Sequence, residues 1–254
     1  MSKKLIVGNW KMNPGTLVEA KKIAGKIKRI SKRLQNSEVI ICPPLPFITS
    51  CVSKKNTNNF HVGVQTVSIE KEVGPFTGEV NAKMMNSIGA EYVIVGHSEE
   101  RKRGDSNEIV SKKLINTLDA GLISIVCIGE KVRDEGGLYL EELKNQIKES
   151  IANIPKKFAK DIIIAYEPIW ATGAQESMVP EQIFEMSLFA KKAFSDIFGA
   201  ENGLKVKVLY GGAVNFRNAV DIINIGKVNG LLIGRESVNT PGFIELIKAV
   251  DKIA

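Results

Sequence analysis

Short apolar runs recur along the whole chain, and they are rich in residues that favour strands. Most of them are apolar at consecutive positions rather than at alternate ones, which is typical of parallel strands buried on both faces. Eight such runs can be counted: LIVGNW from Leu5, EVIIC from Glu38, HVGVQ from His61, YVIVGH from Tyr92, ISIVCIGE from Ile123, DIIIAYE from Asp161, KVKVLYGG from Lys205 and GLLIG from Gly230.

Segments with a helical spacing of apolar residues lie between these runs, and several have recognisable ends. Asp105 stands three residues before Glu108 and is predicted to cap a helix that Gly121 follows. Pro180 and Pro241 occupy the expected first-turn positions of two later helices. Strand and helix therefore alternate along the chain as one repeating unit.

This alternation predicts a parallel sheet, because parallel neighbours need a long return connection. Eight units in 254 residues match the usual size of a closed (βα)8 barrel, an α/β fold with eight parallel strands surrounded by helices. An open, doubly wound sheet is the alternative, but no G-x-G-x-x-G motif follows the first run. We therefore predict a single barrel domain over residues 1–254.

Composition narrows the class of protein. With 44% hydrophobic residues the chain can bury a large core. It nowhere has the roughly 18 consecutive apolar residues of a membrane-spanning helix, and its N-terminal apolar run is too short for a secretory signal. Three cysteines, Cys42, Cys51 and Cys127, suggest neither a disulfide framework nor a zinc site. We expect a cytoplasmic protein with no membrane partner and no bound metal.

A net charge of +7 raises the question of an anionic partner. In the densest basic segment, residues 21–34, the lysines fall on the solvated face of one predicted helix. The apolar residues that define the other face are Leu17, Ile23, Ile27, Ile30 and Leu34. No nucleic-acid-binding motif accompanies this segment, so we favour a solvated helix over a nucleic-acid site. The other interpretation of the positive charge, an electrostatic field that steers a small anion towards the protein, stays open.

Charged residues stand where several predicted strands end. Lys11, His97, Glu130 and Glu167 each follow a strand run, and active sites of (βα)8 barrels form at this end. A lone residue of this kind is more often solvated or structural, but Lys11, His97 and Glu167 would all converge on one end of one barrel. His61 opens a strand instead, so we assign it a structural role.

Six segments of the chain carry a family resemblance: NWKMN at 9–13, VGHSE at 95–99, VCIGE at 126–130, AYEPIWATG at 165–173, YGGAV at 210–214 and GLLIG at 230–234. In this order, over nearly the full chain, they closely resemble the triosephosphate isomerase family. The resemblance implies a (βα)8 barrel and an isomerase of glycolysis and gluconeogenesis that needs no cofactor. Its substrates would be dihydroxyacetone phosphate and D-glyceraldehyde 3-phosphate.

The resemblance also implies catalytic roles at the strand ends. Glu167 is expected to be the base that moves a proton between neighbouring carbons through an enediolate. His97 is expected to be a neutral proton donor, and Lys11 a fixed positive charge, while Asn9 helps to position the substrate. Glu99 contacts Lys11 in the family, although a carboxylate in the first turn of a helix explains Glu99 equally well on sequence alone.

Backbone N–H groups in turns after the last two strands are expected to hold the phosphate, because glycine permits close approach. Gly173 belongs to a loop that is expected to close over the substrate. The expected substrate contacts are Asn9, Lys11, Gly173, Ala213, Leu232, Gly234 and Arg235, with support from Glu99, Gly211 and Gly212.

The chain departs from the family pattern at several positions, and in the expected mobile loop the usual AIGTGK is replaced by ATGAQE at 171–176. Thr172 stands where an isoleucine presses on the base, and Ala213 stands where a serine offers its hydroxyl to phosphate. Arg235 replaces a second glycine, so it either clashes with the phosphate turn or points away. Glu100 replaces an arginine near the subunit interface, which puts the usual salt bridge to the partner in doubt.

The resemblance further implies a homodimer, in which a loop after the third strand reaches the partner's catalytic lysine. The stretch Val73–Glu79, VGPFTGE, matches that loop, with Thr77 at its tip and Gln65 as a supporting contact. Without the resemblance this stretch is an ordinary surface turn. The sequence does not exclude a tetramer.

Two other functional classes stay open. An aldolase on the same barrel requires a Schiff-base lysine at a middle strand, and the fourth to sixth runs end without one. A non-catalytic relative would only bind phosphorylated ligands or serve as a scaffold. Retention of Asn9, Lys11, His97 and Glu167 argues against this class, but the loop substitutions keep it open.

Overall fold

The computed structural model describes residues 3–52, 59–171 and 177–253, which form a closed parallel barrel. Its strands follow the order of the sequence, and the first pairs with the last to close the ring. The closed (βα)8 barrel is confirmed and the open-sheet alternative is wrong. The strands are β1 (Lys4–Asn9), β2 (Ser37–Cys42), β3 (Phe60–Val64), β4 (Tyr92–Val95), β5 (Ile123–Ile128), β6 (Ile162–Tyr166), β7 (Lys207–Tyr210) and β8 (Gly230–Ile233).

Helices cover the outside of the barrel in the described part of the chain. None of these helices is both long and apolar enough to cross a membrane. Their bounds are α1 (Leu17–Ser31), α2 (Ile48–Cys51), α3 (Ala82–Ser87), α4 (Ser98–Lys102), α5 (Asn107–Asp119), α6 (Leu138–Ile151), α7 (Pro180–Phe198), α8 (Ala200–Lys205), α9 (Ala219–Asn224) and α10 (Thr240–Ile253).

Each strand serves two cores, because successive side chains on a strand point to opposite faces. One set of side chains fills the barrel and the other packs beneath the helices. Burial on both faces explains why the strand runs are continuously apolar. The buried residues inside the barrel include Leu5, Val7, Ile40, Cys42, Ile94, Ile125, Cys127, Ile163, Ala165, Leu209 and Leu232.

The start of α5 differs from the prediction. Ser106 is the N-cap, and its Oγ accepts a hydrogen bond from the backbone N–H of Ile109 at 3.2 Å. Asp105 instead accepts hydrogen bonds from Lys113 Nζ at 3.0 and 2.8 Å. The prediction of Asp105 as the cap was wrong. Asp105 and Ser106 are both residue types that cap helices well, and the buried Lys113 pairs with Asp105, which leaves Ser106 as the cap.

The other predicted helix ends are confirmed. Gly121 follows α5 with a φ of 78°, Pro180 opens α7, and Pro241 lies in the first turn of α10. In α1 the buried face begins later than predicted, since Leu17 is 40% exposed whereas Ile27 is fully buried.

His61 lies at the amino end of the barrel, away from the strand ends that carry the other candidate residues. Its Nδ1 is 2.8 Å from Glu91 Oε2, and its ring meets that of Tyr92 edge to face, with centroids 5.6 Å apart. These contacts agree with the structural role expected for His61.

Candidate active site

A cavity of about 640 Å³ opens where β1, β4, β6, β7 and β8 end. Of the predicted site residues, Gly173 falls in residues 172–176, outside the described part of the chain, as does Thr172. The structure brings the others together in the wall of this cavity: Asn9, Lys11, His97, Glu99, Glu167, Gly211, Gly212, Ala213, Leu232, Gly234 and Arg235.

Lys11 has an unusual backbone conformation just beyond β1. Its φ is 54°, in the left-handed region that side-chain-bearing residues rarely adopt. Asn9 Oδ1 accepts a hydrogen bond from Lys11 N at 3.1 Å, and Gln65 Nε2 donates to Lys11 O at 2.8 Å. Two side chains therefore hold a strained residue at the cavity, which is a common property of functional sites. The hydrogen bond from Gln65 to Lys11 is formed within one chain.

The ammonium of Lys11 is paired with a carboxylate at the cavity. Lys11 Nζ lies 2.7 Å from Glu99 Oε1. Burial pushes the pKa of Glu99 upwards, but the hydrogen bond and the charge of Lys11 outweigh it, so that the pKa lies below its ordinary value. Glu99 is therefore an anion that orients Lys11.

His97 links the end of β4 to the start of α4. Its Nδ1 accepts a hydrogen bond from the backbone N–H of Glu99 at 3.1 Å, as the N-cap of that helix. A ring nitrogen that accepts carries no proton, so the neutral ring has its proton on Nε2. That nitrogen lies 3.3 Å from Glu167 Oε1.

The protonation of His97 is set by two opposing influences. Burial lowers the pKa of the imidazole, but the charge of Glu167 and its hydrogen bond to the ring raise it more, and the pKa lies above its ordinary value. Lys11 opposes this rise. The charge on Glu167 therefore controls the proton on His97.

Glu167 continues the inward-facing row of β6. Ile163 and Ala165 lie in the barrel core, so the next residue at the same spacing points into the cavity. The backbone N–H of Glu167 donates to Ile128 O at 2.8 Å, and the residue is 4% exposed. Its Oε2 is buried without a hydrogen-bond partner in the described structure, which leaves an acceptor available to a ligand.

Gly211 provides the space for the Glu167 side chain. A Cβ at Gly211 would lie 2.6 Å from Glu167 Cγ, closer than real Cβ atoms approach. The N–H of Gly211 donates to Tyr166 O at 2.8 Å, as part of the sheet. Gly211 therefore supports the site through its small size, while its N–H is engaged in the sheet.

The turns after β7 and β8 form a further part of the cavity wall. Ser237 Oγ donates to Gly234 O at 2.6 Å, which fixes the turn after β8. Asn218 Nδ2 donates to Ala213 O at 2.9 Å, which fixes the turn after β7. Arg235 is exposed in this wall and begins a short 3-10 turn that ends at Ser237.

Glu130 is a strand-end residue that does not reach the cavity. It is fully buried, and its Oε1 accepts hydrogen bonds from Tyr166 Oη and Trp170 Nε1, both at 2.8 Å. Burial and the neighbouring carboxylate raise the pKa of Tyr166. Glu130 therefore anchors the segment that leads to residues 172–176, and the backbone N–H of Met178 beyond them donates to Tyr210 Oη at 3.2 Å.

Glu100 forms an ion pair within its own chain. Its Oε1 lies 2.7 Å from Arg103 Nη1. The carboxylate that replaces the usual arginine thus has a neighbouring cation of its own.

Cys127 is a neighbour of Glu167 that the sequence interpretation missed. It lies inside the barrel on β5, and burial together with the Glu167 carboxylate raises the pKa of its thiol. Side chains of β5 alternate between the inside and the outside of the barrel, and this alternation could have identified Cys127 as an inward-facing residue. Other residues of the cavity wall were also missed because they follow the strand ends by several positions: Lys102, Ile169, Val214, Asn215 and Glu236.

Comparisons with known proteins agree with this arrangement. A family model described as Triosephosphate isomerase matches residues 4–250. The triosephosphate isomerase of Fusobacterium nucleatum is 35% identical over 251 residues, covering 98% of this chain and 99% of that protein. The triosephosphate isomerase of Endomicrobium trichonymphae is 34% identical over 250 residues, covering 98% and 99%. That of Aquifex aeolicus is 34% identical over 247 residues, covering 96% and 98%. Because these matches span nearly the whole chain, the chain belongs to the triosephosphate isomerase family of isomerases.

Proposed function

We propose that this protein interconverts dihydroxyacetone phosphate and D-glyceraldehyde 3-phosphate by proton transfer through an enediolate. Glu167 is the base, His97 is the proton donor to the substrate oxygens, and Lys11 stabilises the negative charge. The observation that carries the proposal is the 3.3 Å distance between Glu167 Oε1 and His97 Nε2, in a cavity that Lys11 also lines. A base and a donor within reach of one substrate are what this proton transfer requires.

The same geometry suits the charge that develops during the reaction. Removal of a carbon-bound proton pushes negative charge onto the substrate oxygens, so donors must already be aimed at them. Lys11 supplies an ammonium that is oriented by Glu99 at 2.7 Å, and His97 supplies its Nε2 proton. These donors need little rearrangement when the charge appears.

The loss of charge on Glu167 during the reaction favours the neutral state of His97. The raised pKa of His97 has the Glu167 carboxylate as its main source. Once Glu167 has taken the substrate proton its charge is gone, and burial then lowers the pKa of the imidazole. His97 is therefore neutral when it has to donate from Nε2.

We assign the substrate phosphate to the wall formed by the turns after β7 and β8. Barrels of this kind often hold phosphate there, on backbone N–H groups. Gly212 and Gly234 permit close approach, and Leu232 lines the same cavity. Arg235 adds a positive charge to the same wall, where Ala213 lacks the hydroxyl of the family serine.

A coupled isomerase assay on the purified protein tests the function. We expect turnover in both directions and, in D2O, deuterium on the carbon beside the carbonyl, because the proton held by Glu167 exchanges with solvent. Glu167→Gln should abolish both signals, whereas Glu181→Gln, at an exposed position on α7, should keep them. An adduct with dihydroxyacetone phosphate trapped by borohydride would instead indicate the Schiff base of an aldolase.

We also propose a homodimer through Gln65 and the 73–79 loop. Exposed apolar side chains lie in this loop and beside it, as a buried interface would require. Val73 is 77% and Phe76 40% exposed. Met84, which lines a small pocket together with both of them, is 41% exposed.

We keep the remaining expectations as proposals. Residues 1–254 form one domain, and the enzyme acts in glycolysis and gluconeogenesis in the cytoplasm. The match of one family model to residues 4–250 supports the single domain. The family name supports the pathway.

A further inference from the structure

Gln146 on α6 forms two hydrogen bonds with a single backbone residue at the end of β5. The backbone N–H of Gly129 donates to Gln146 Oε1 at 3.0 Å, and Gln146 Nε2 donates to Gly129 O at 3.0 Å. This is the paired pattern by which a neighbouring strand would hold a residue. Gln146 is 9% exposed, so both bonds are sheltered from water.

Gly129 lies directly against the backbone of the proposed base. A Cβ at Gly129 would lie 1.8 Å from Glu167 O and 2.7 Å from its carbonyl carbon. On either side of this contact, Glu167 N donates to Ile128 O at 2.8 Å and Ile169 N donates to Glu130 O at 3.0 Å. Little free space therefore separates Gly129 from Glu167.

We propose that Gln146 is a positioning residue for Glu167, an inference that rests on the proposed function. Its carboxamide takes the place of a missing strand and fixes the peptide groups of Gly129. Without it, a buried N–H and a buried C=O would lose their partners and turn towards water. Since the backbones of Gly129 and Glu167 are in direct contact, a rotation of the Gly129 peptide groups displaces the backbone of Glu167, the proposed base.

The contacts around Gln146 make this role specific to its carboxamide. Nε2 also lies 3.3 Å from Glu142 Oε1, which fixes which end of the amide faces Gly129 O. An apolar side chain of the same length would fill the space but make neither bond. Leu143 lies on the same helix and is fully buried in the outer core, so it provides a control for lost packing.

The test compares Gln146→Met with Leu143→Ala in steady-state kinetics, at a temperature where thermal melts show both folded. We expect Gln146→Met to lower kcat by about tenfold to a hundredfold, because a misplacement of roughly 1 Å has this effect, with KM nearly unchanged. Leu143→Ala should keep kcat within about twofold although it is less stable. An unchanged kcat in Gln146→Met overturns the proposal.

A second readout does not depend on turnover. The imidazole pKa of His97, followed by NMR, reports the distance to the Glu167 carboxylate and should fall in Gln146→Met. If the parent protein showed no isomerase activity, the proposed function would fail while this titration still tested Gln146. If Gln146→Met does not fold, Gln146→Asn, which keeps both amide groups on a shorter chain, should fold with reduced kcat. Parent-like kcat and His97 titration in the folded variant overturn the proposal.

Discussion

At the scale of single residues, the reach of Glu167 is the first quantity to test. Aspartate keeps the charge but withdraws the carboxylate from His97 and the substrate by about one methylene. A misplacement of roughly 1 Å costs on the order of a hundredfold in rate, so Glu167→Asp should lower kcat about a hundredfold and change KM little. Steady-state kinetics with both triose phosphates measure this. A kcat close to that of the parent would remove Glu167 from the role of base.

The titration of His97 gives a second prediction at the same scale. In the free protein its pKa should lie above the ordinary histidine value, since the Glu167 carboxylate outweighs burial. Glu167→Gln removes that charge and leaves burial, so the pKa should fall and the ring should become neutral over a wider pH range. NMR of the imidazole groups measures both values, and only His61 and His97 are present. His61→Asn assigns the signals. A rise or no change in Glu167→Gln contradicts the explanation.

At the scale of elements, the turn after β7 should tolerate no side chain beside the base. In Gly211→Ala the new Cβ would lie 2.6 Å from Glu167 Cγ, and the carboxylate has to move. We expect the barrel to fold and kcat to fall at least about tenfold. Kinetics and a thermal melt on the same sample measure the two effects.

Gly25→Ala is the matched control for this substitution. Gly25 lies in the middle of α1, with no atom within 4 Å of a new Cβ. Alanine there should leave kcat unchanged and stabilise the fold by roughly 0.5–1 kcal/mol, because glycine is the poorer helix residue. Equal losses of activity in the two variants would show that the effect of Gly211→Ala is not local.

The strands were predictable because burial on both faces makes each strand a continuous apolar run. Such a run is visible in the local sequence, without knowledge of the residues that pack against it. Each apolar run became a strand, and their polar ends converged as the barrel requires. Cys127 and Gln146 were not identified, since their importance depends on what faces them across the fold. Asp105 and Ser106 are equivalent in local sequence, and only Lys113, eight residues beyond Asp105, separates their roles.

At the scale of the whole molecule, the 73–79 loop should control association. The parent should sediment at twice the mass of one chain, and Phe76→Glu should shift it towards the monomer. Burial of a charge in an apolar interface costs on the order of 2 kcal/mol or more, so the dissociation constant should rise at least about thirtyfold. Sedimentation across a concentration series measures it.

Phe184→Glu is the control for this experiment. Phe184 is an equally exposed aromatic residue, 38% against 40% for Phe76, but it lies on α7. We expect this variant to keep the mass of the parent. A monomeric parent, or dissociation in both variants, would contradict an interface at the 73–79 loop.

Closure of the barrel between β1 and β8 has a consequence for where the chain can begin. Lys4 N donates to Asn36 O at 2.9 Å and Asn36 N donates to Asp251 Oδ1 at 2.8 Å, so Asn36 bridges the start of β1 and the last turn of α10 on the face opposite the cavity. A circular permutant that joins the two chain ends and opens at Gly121, between α5 and β5, would keep every strand beside its present neighbours. The proposed catalytic residues would then follow one another in a different order along the sequence but keep their positions in the folded protein.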